Sequence, residues 1–393
     1  MFRKDFPLLN KSTLVYLDSA SSTQKPAVMI DSLKYFYENV YSNVHRGTCT
    51  LASCATEQYE QARKTVAEFI NARPNNIIFT KGATEGLNMI ASGFTEQLTP
   101  SDEILVSIAE HHANFVPWQQ LALKTGAKFR VFNIRSDGSY DLDDFTRQLN
   151  NNTKIVALSH MSNVLGVINP IKLMTQRAHR VGAVVVVDCA QSVAHTQVDA
   201  REIGCDFLTF SGHKVYGPTG IGVLFGTDKA LDSLPPYQFG GDMVHTVGIY
   251  KTTFALSPAK FEAGTPPFSE AVALAESIRY IRSIGFDRIK KHEHTLMNTL
   301  LNKLIDFPDV NIIAPNPNKE SLVALTFKNA HPTDIGAIIA RQGICVRVGH
   351  HCAMPIHEYF KTPVSLRVSL GLYNTVEDIN RFSEALKKAL CFF

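Results

Sequence analysis

Lys214 closes the run Ser211-Gly212-His213-Lys214, between the apolar stretch Asp206–Phe210 and a second one at Ile221–Gly226. The connection between them, Ser211 to Gly220, is ten residues long, too short for a parallel crossover, so the two strands are predicted to pair antiparallel. Lys214 then sits at a sheet edge, hemmed by Gly212, Gly217 and Gly220. Burial favours the neutral amine, which can attack a carbonyl and anchor a carbonyl cofactor as a Schiff base. A solvated loop lysine without chemistry is the plainer alternative.

Three further features fall at predicted strand ends. Asn76–Thr80 reads as a strand that breaks at Gly82 and passes through Ala83-Thr84 into a helix. Free N–H groups and the positive end of the helix dipole there suit a phosphate, although Thr84 as a simple N-cap accounts for the same residues. After the strand Glu103–Ser107 comes Glu110-His111-His112, where one histidine has room to lie on an aromatic ligand; His112 is assigned that place. Ala183–Val187 is a continuous apolar run fit for the centre of a parallel sheet, and it ends in Asp188. A phosphate seat, a ring-facing histidine, a carboxylate and a lysine are together the needs of pyridoxal 5′-phosphate. Its pyridine nitrogen stays protonated only when a carboxylate faces it.

The elements that must carry these groups alternate strand and helix five times, the pattern of a mostly parallel α/β sheet covered by helices on both faces. Other helices are expected at Val28–Val40 and, from the spacing of Tyr59, Ala62, Val66 and Phe69, at Glu57–Ile70. At 393 residues the chain exceeds one ordinary core. Residues 1–15 are expected to form an arm packing with the small domain, 16–260 a large cofactor-binding domain, and 261–393 a smaller C-terminal α/β domain. In that smaller domain, 269–306 reads as helical with a break near Gly285, followed by strands at Val310–Ile313, Leu322–Phe327 and Ser365–Leu370 and a terminal helix at Val376–Leu390.

Hydrophobic residues make up 45% and charged residues 19%, which points to large buried surfaces and an oligomer. A net charge of +3 without a long basic run implies no nucleic-acid partner. No signal peptide or apolar run of membrane-spanning length is visible, so a cytoplasmic protein without a membrane partner is expected. The seven cysteines show no repeated Cys-x2-Cys spacing, which argues against a disulfide framework or a metal site. Cys345 lies in an apolar strand-like run and reads as packing. Cys352 follows Gly349-His350-His351 in a loop, with Arg347 nearby, the electropositive setting that favours a thiolate.

In combination, Asn43-Val44-His45-Arg46-Gly47, Gly82-Ala83-Thr84-Glu85-Gly86, Ser162-Asn163-Val164-Leu165-Gly166, Asp188-Cys189-Ala190-Gln191, Ser211-Gly212-His213-Lys214, Phe261-Glu262-Ala263-Gly264-Thr265-Pro266, Gly349-His350-His351-Cys352-Ala353 and Ser365-Leu366-Arg367-Val368-Ser369 resemble the Suf-type (group II) cysteine desulfurases and selenocysteine lyases. These belong to the class V aminotransferase group of fold type I pyridoxal-phosphate enzymes. The resemblance runs in order over nearly the whole chain. Phe239 before Gly240-Gly241 and Pro267-Phe268 after Pro266 depart from the family pattern and put loop detail and dimer packing in doubt.

The resemblance implies roles. Lys214 would hold the cofactor, Asp188 pair its pyridine nitrogen, Gln191 contact its ring hydroxyl and His112 stack on the ring. Ala83, Thr84, Ser211 and His213 would hold the phosphate, with Thr265 supplied across a homodimer. Asn163 and Arg367 would fix the substrate carboxylate, and Arg347 and His45 would line the substrate side. Cys352 would receive sulfur from L-cysteine as a persulfide, leaving L-alanine. A sulfur acceptor of the SufE or SufU kind would then serve iron–sulfur cluster assembly. Selenocysteine and cysteine sulfinate carry a leaving group at the same place. The alternatives are another class V aminotransferase or β-lyase that does not need Cys352, and a non-enzymatic binding protein.

Overall fold

The computed structural model describes residues 2–393. In chain order its strands are β1 (Val15–Tyr16), β2 (Ile77–Thr80), β3 (Glu103–Ser107), β4 (Lys128–Phe132), β5 (Thr153–Ser159), β6 (Val184–Asp188), β7 (Phe207–Ser211), β8 (Gly222–Gly226), β9 (Val244–Val247), β10 (Thr252–Phe254), β11 (Val310–Ile312), β12 (Leu322–Phe327), β13 (Ile344–Cys345), β14 (Arg347–Gly349) and β15 (Ser365–Ser369). Strands β2 to β8 form one sheet in the order β2-β8-β7-β6-β5-β3-β4. Only β8 is reversed, antiparallel to β2 and β7, while the other pairs are parallel. The short Ser211–Gly220 connection therefore joins an antiparallel pair, as its length requires.

Alternate side chains of the central strands feed two cores. Val156, Leu158, Val185, Val187, Leu208 and Phe210 point to one. Ile155, Ala157, Val186 and Phe207 point to the other. Helices Ala27–Asn39, Thr50–Phe69 and Phe268–Ile284 pack together over the first face. Ala83–Gly93 and Val116–Thr125 cover the second. Both faces are dry, which is why these strands read as unbroken apolar runs. The helix expected from Glu57 starts at Thr50. Its first turns are buried through Ala52 and Ala55, side chains too small to mark an apolar stripe clearly.

A second sheet, β11-β12-β15-β14, is antiparallel throughout. Its core joins Val323, Leu325, Leu366 and Val368 to Leu296, Leu300, Ile335 and Phe382. Val15 and Leu17 belong to this core, and β1 pairs parallel with β13. The chain passes between the cores along helix Phe286–Leu304, whose Ile289 lies in the first and Leu296 in the second. The helix break falls at Gly285, with φ +83°, a conformation a side chain would disfavour.

Of the departures from the family pattern, Phe268 is buried against Phe36 and Tyr41, and Phe239 is exposed beside Phe254. The β9–β10 hairpin forms a sheet of its own and carries exposed Val247, Ile249 and Tyr250 at its end. Among the described residues no helix is long and apolar enough to cross a membrane, and no cluster of side chains fits a metal ion.

Candidate active site

The carboxyl ends of β5, β6 and β7 and the turn after β2 open on one cavity of about 600 Å³, whose lining includes Ala83, Thr84, Asn163, Asp188, Ser211, His213, Lys214 and Cys352. This is the edge that parallel α/β sheets use for ligands. Asp188 closes β6, nearly fully buried, and its Oδ1 accepts the Ala190 N–H at 2.8 Å. Burial raises its pKa, and Lys214 partly offsets the rise. Lys214 ends the 3-10 turn after β7 on the neighbouring strand. Burial lowers its pKa, Asp188 opposes and Arg367 reinforces the shift. A half-buried amine pushed toward neutrality beside a buried carboxylate is suited to bond a carbonyl carbon.

The turn carrying Lys214 is pinned from the N-terminal segment. The His213 carbonyl accepts the Thr23 N–H at 3.1 Å, the Thr23 hydroxyl at 3.0 Å and Lys25 Nζ at 2.9 Å. On its other side, Ser211 Oγ accepts the Ala83 N–H at 2.9 Å, joining the turn to the N-terminus of helix Ala83–Gly93. Backbones meet here closely: a Cβ on Gly222 would lie 2.4 Å from Gly82 Cα. The His213 imidazole, its pKa lowered to about 4 by burial and by Lys214 and Lys25, is neutral at pH 7.

Both histidines border the cavity, and His111, not the His112 expected from the sequence, is the one whose pKa responds to Lys214. His111 lies close enough to Lys214 and Arg367 for both to depress its pKa, which burial first and these charges second bring to about 3. Its Nδ1 accepts the Ala113 N–H. His112 instead turns to the Cys352 loop: its N–H donates to the Cys352 carbonyl and its Nε2 accepts the Met354 N–H at 3.0 Å. His111 is extended and caps the 3-10 turn that His112 opens, and sequence spacing alone does not fix which of two adjacent histidines points inward.

Arg367, on β15, is 2% exposed. It donates to the Asn163 carbonyl at 3.0 Å, to Ser21 Oγ at 2.6 Å and to Asp18 at 3.3 Å, while its Nε is buried without a partner. An orphaned guanidinium N–H at a cavity wall fits an incoming carboxylate. Arg347 pairs with Asp18 at 2.9 Å. Asn163 Nδ2 donates to the His351 carbonyl at 2.7 Å, so it supports the cysteine loop as well as bordering the cavity. Cys352 is exposed, and both His351 (φ +52°) and Cys352 (φ +55°) are left-handed without being glycine. Such backbone costs about 1–2 kcal/mol per residue and persists because neighbours hold it. Cys345, only partly buried, sits at the β1–β13 pairing beside Asp18, which together with burial raises its pKa.

Three other expected residues are not among those lining this cavity. Gln191 is buried behind the cavity wall and donates to the Ala20 carbonyl at 2.8 Å. His45 lies in a separate recess of about 290 Å³ with Arg46, Glu60, Arg63, Asp242 and Glu262, its Nε2 3.3 Å from Glu60. Thr265 is exposed between Gly264 and Pro266, which line that recess. Asp18, Glu110 and Lys25 were given no role in the sequence reading. Asp18 had a signal, since like Asp188 it follows a short apolar strand.

The donor set matches the requirements of pyridoxal phosphate: amine and carboxylate on adjacent strands, a helix N-terminus beside a hydroxyl, and a buried guanidinium with one N–H left without a partner. Fold and site together define a fold type I pyridoxal-phosphate enzyme. The model of the family "Aminotransferase class-V" matches residues 15–382. A probable cysteine desulfurase of Halalkalibacterium halodurans is 42% identical, covering 100% of this chain and 98% of the relative. The cysteine desulfurase of Cronobacter sakazakii is 43% identical, with 98% and 96% covered. The apo structure of a cysteine desulfurase from Thermococcus onnurineus superposes with a TM-score of 0.96 at 36% identity, over 100% of this chain and 98% of that one. The Escherichia coli cysteine desulfurase CsdA gives 0.94 at 36% identity, again over 100% and 98%. The chain belongs to the class V aminotransferase family, and within it to the cysteine desulfurases.

Proposed function

We propose that the protein converts L-cysteine to L-alanine and takes the sulfur as a persulfide on Cys352, for delivery to an acceptor protein that serves iron–sulfur cluster assembly. The observation that carries this reading is that Cys352, on a loop of the second unit, borders the same cavity as Lys214 of the first. An aminotransferase has no use for a thiol held there in strained backbone.

Bound in the cavity, pyridoxal phosphate supplies the electron sink that makes the substrate α-proton acidic and its sulfur a leaving group. Lys214 and Asp188 would hold its aldehyde and pyridine nitrogen, His111 would lie against its ring, and Ala83, Thr84, Ser211 and His213 would hold its phosphate. Gln191, one layer behind, would support the ring side. Arg367 and Asn163 receive the substrate carboxylate, the guanidinium through its unpaired Nε. Lys214, with its lowered pKa, takes the α-proton. The Cys352 thiolate attacks the substrate sulfur, the carbon–sulfur bond breaks, and the carbon takes up a proton. Cysteine and the thiol thus become alanine and the persulfide, with no outside oxidant.

The homodimer is part of the proposal. Exposed Thr265, the His45 recess and the apolar end of the β9–β10 hairpin support a second copy completing the site. The acceptor, of the SufE or SufU kind, and the Suf-type subgroup rest on the motif resemblance alone. Mass spectrometry of Cys352 after addition of cysteine tests the function. One added sulfur, discharged by the acceptor, is expected. Alanine and sulfide formed at the parent rate by Cys352→Ala would refute it.

A further inference from the structure

The residues proposed to hold the phosphate bring no cation to it. Thr84 and Ser211 offer hydroxyls and the start of helix Ala83–Gly93 offers N–H groups. His213 offers an imidazole that is neutral at pH 7, its pKa lowered to about 4. Lys214, on the same cavity wall, is committed to the carbonyl carbon. A phosphate monoester carries a charge of roughly −1.5 to −2 at pH 7, and enclosing it among neutral groups alone is costly.

Lys25 is bonded to the turn that carries these groups. Its Nζ donates to the His213 carbonyl at 2.9 Å, and among the described residues no carboxylate pairs with it. The carbonyl does not need this bond. It also accepts the Thr23 N–H at 3.1 Å, the Thr23 hydroxyl at 3.0 Å and the Ser22 hydroxyl at 3.3 Å, more donors than the lone pairs of one oxygen serve well. Lys25 is half-buried, and burial brings its pKa down to about 8, which leaves it charged at pH 7. That charge is felt at the cavity wall, since Lys214 and Lys25 are the two cations that depress the pKa of His213. Lys81, beside the turn after β2, is exposed, where water and salt screen it. A partly desolvated cation with a superfluous hydrogen bond and no counter-ion has a cost that nothing within the chain returns.

We propose that Lys25 is the counter-charge of the phosphate site: from the far side of the His213 turn, without lining the cavity, its ammonium attracts the dianion held by Thr84, Ser211 and His213. The anion completes the ion pair that the chain leaves open. This deepens the cofactor reading above and rests on those three residues as the phosphate site.

The test uses the full chain stripped of cofactor and compares pyridoxal 5′-phosphate with pyridoxal, which has the same ring and aldehyde and no phosphate. The Kd of each is read from the absorbance of the bound chromophore. Lys25→Met should raise the Kd for pyridoxal phosphate about tenfold, the order expected of one unit charge acting on an anion from beyond hydrogen-bond range. The Kd for pyridoxal should not change. Lys25→Gln still donates to the His213 carbonyl but has no charge, so it should lose as much as Lys25→Met, and Lys25→Arg should bind as the parent does. Denaturant midpoints should match the parent, because the carbonyl keeps Ser22 and Thr23; if Lys25→Met nevertheless does not fold, Lys25→Gln decides. Equal weakening toward both ligands would make Lys25 a brace of the Lys214 turn and overturn the proposal, as would a Lys25→Gln that binds like the parent. A parent that binds the two ligands equally well would fail at an earlier point, removing the phosphate from this site and the proposal with it.

Discussion

The backbone N–H of His112 donates to the carbonyl of Cys352 across 2.6 Å. The imidazole of the same residue accepts the Met354 N–H at 3.0 Å, so one histidine of the first unit grips both sides of the cysteine on the second. The ring is neutral because burial and His350 lower its pKa, and only the neutral ring has a lone pair for this bond. The left-handed backbone at His351 and Cys352 is thus braced from outside.

Replacing His112 by Ala removes the side-chain half of the grip. The loop relaxes and the thiol loses its aim, so kcat for alanine formation should fall by roughly tenfold to a hundredfold, the scale of an ångström-sized misplacement. The visible spectrum of the bound cofactor should stay as in the parent. A normal kcat would show that Asn163 alone suffices to hold the loop.

His111 is expected to behave in the opposite way. His111→Ala should shift the absorbance maximum of the bound cofactor and weaken its retention by several-fold, the worth of about 1 kcal/mol of ring stacking. Spectra of the two single variants, recorded side by side, discriminate the roles. A shift with His112→Ala and none with His111→Ala would restore the assignment made from sequence.

Glu110, fully buried before the histidine pair, accepts from Tyr140, Ser159 and Asn114. Burial raises its pKa to about 7 although these hydrogen bonds hold it back. A carboxyl raised from 4.5 binds its proton more tightly in the folded state, so its contribution to stability is full below pH 4.5 and lost as pH rises through about 7. Across that window the parent should lose up to ~3 kcal/mol relative to Glu110→Gln. Denaturant titrations of both proteins at pH 5 and pH 8 measure the difference, and a gap independent of pH would mean that Glu110 does not titrate there.

The large sheet was legible because buried parallel strands leave unbroken apolar runs, as at Val184–Val187, and because glycines and polar residues cluster at the strand ends that hold ligands. Lys214, Asp188 and Thr84 were singled out for that reason, and Ser211 through the resemblance. What remained hidden depends on contacts distant in sequence. Asp18 and Arg367 are 349 residues apart, and no local pattern announces their pairing. Strand β4 went unpredicted although its exposure alternates along Lys128–Phe132. His45 and Thr265 were named through resemblance, and within one chain His45 lines a recess that does not include Lys214, with Thr265 exposed between two residues of its lining.

The two cores are joined by a buried ion pair whose loss should be felt throughout the protein. Glu293, on helix Phe286–Leu304, lies 2.9 Å from His195 of the first unit, and Ser321, just before β12, donates to the carboxylate at 2.7 Å. Burial works against the charged imidazole, but the attraction and hydrogen bond of Glu293 outweigh it and raise its pKa above 6.5. His195→Ala leaves a buried carboxylate without its cation and should cost about 3–5 kcal/mol. The sign with pH follows from the raised value: the pair contributes fully below 6.5 and less as pH rises through the folded pKa. The parent's advantage over His195→Ala in denaturant titrations should therefore be greater at pH 6 than at pH 9. An advantage that grows with pH would mean that His195 is neutral in the folded protein.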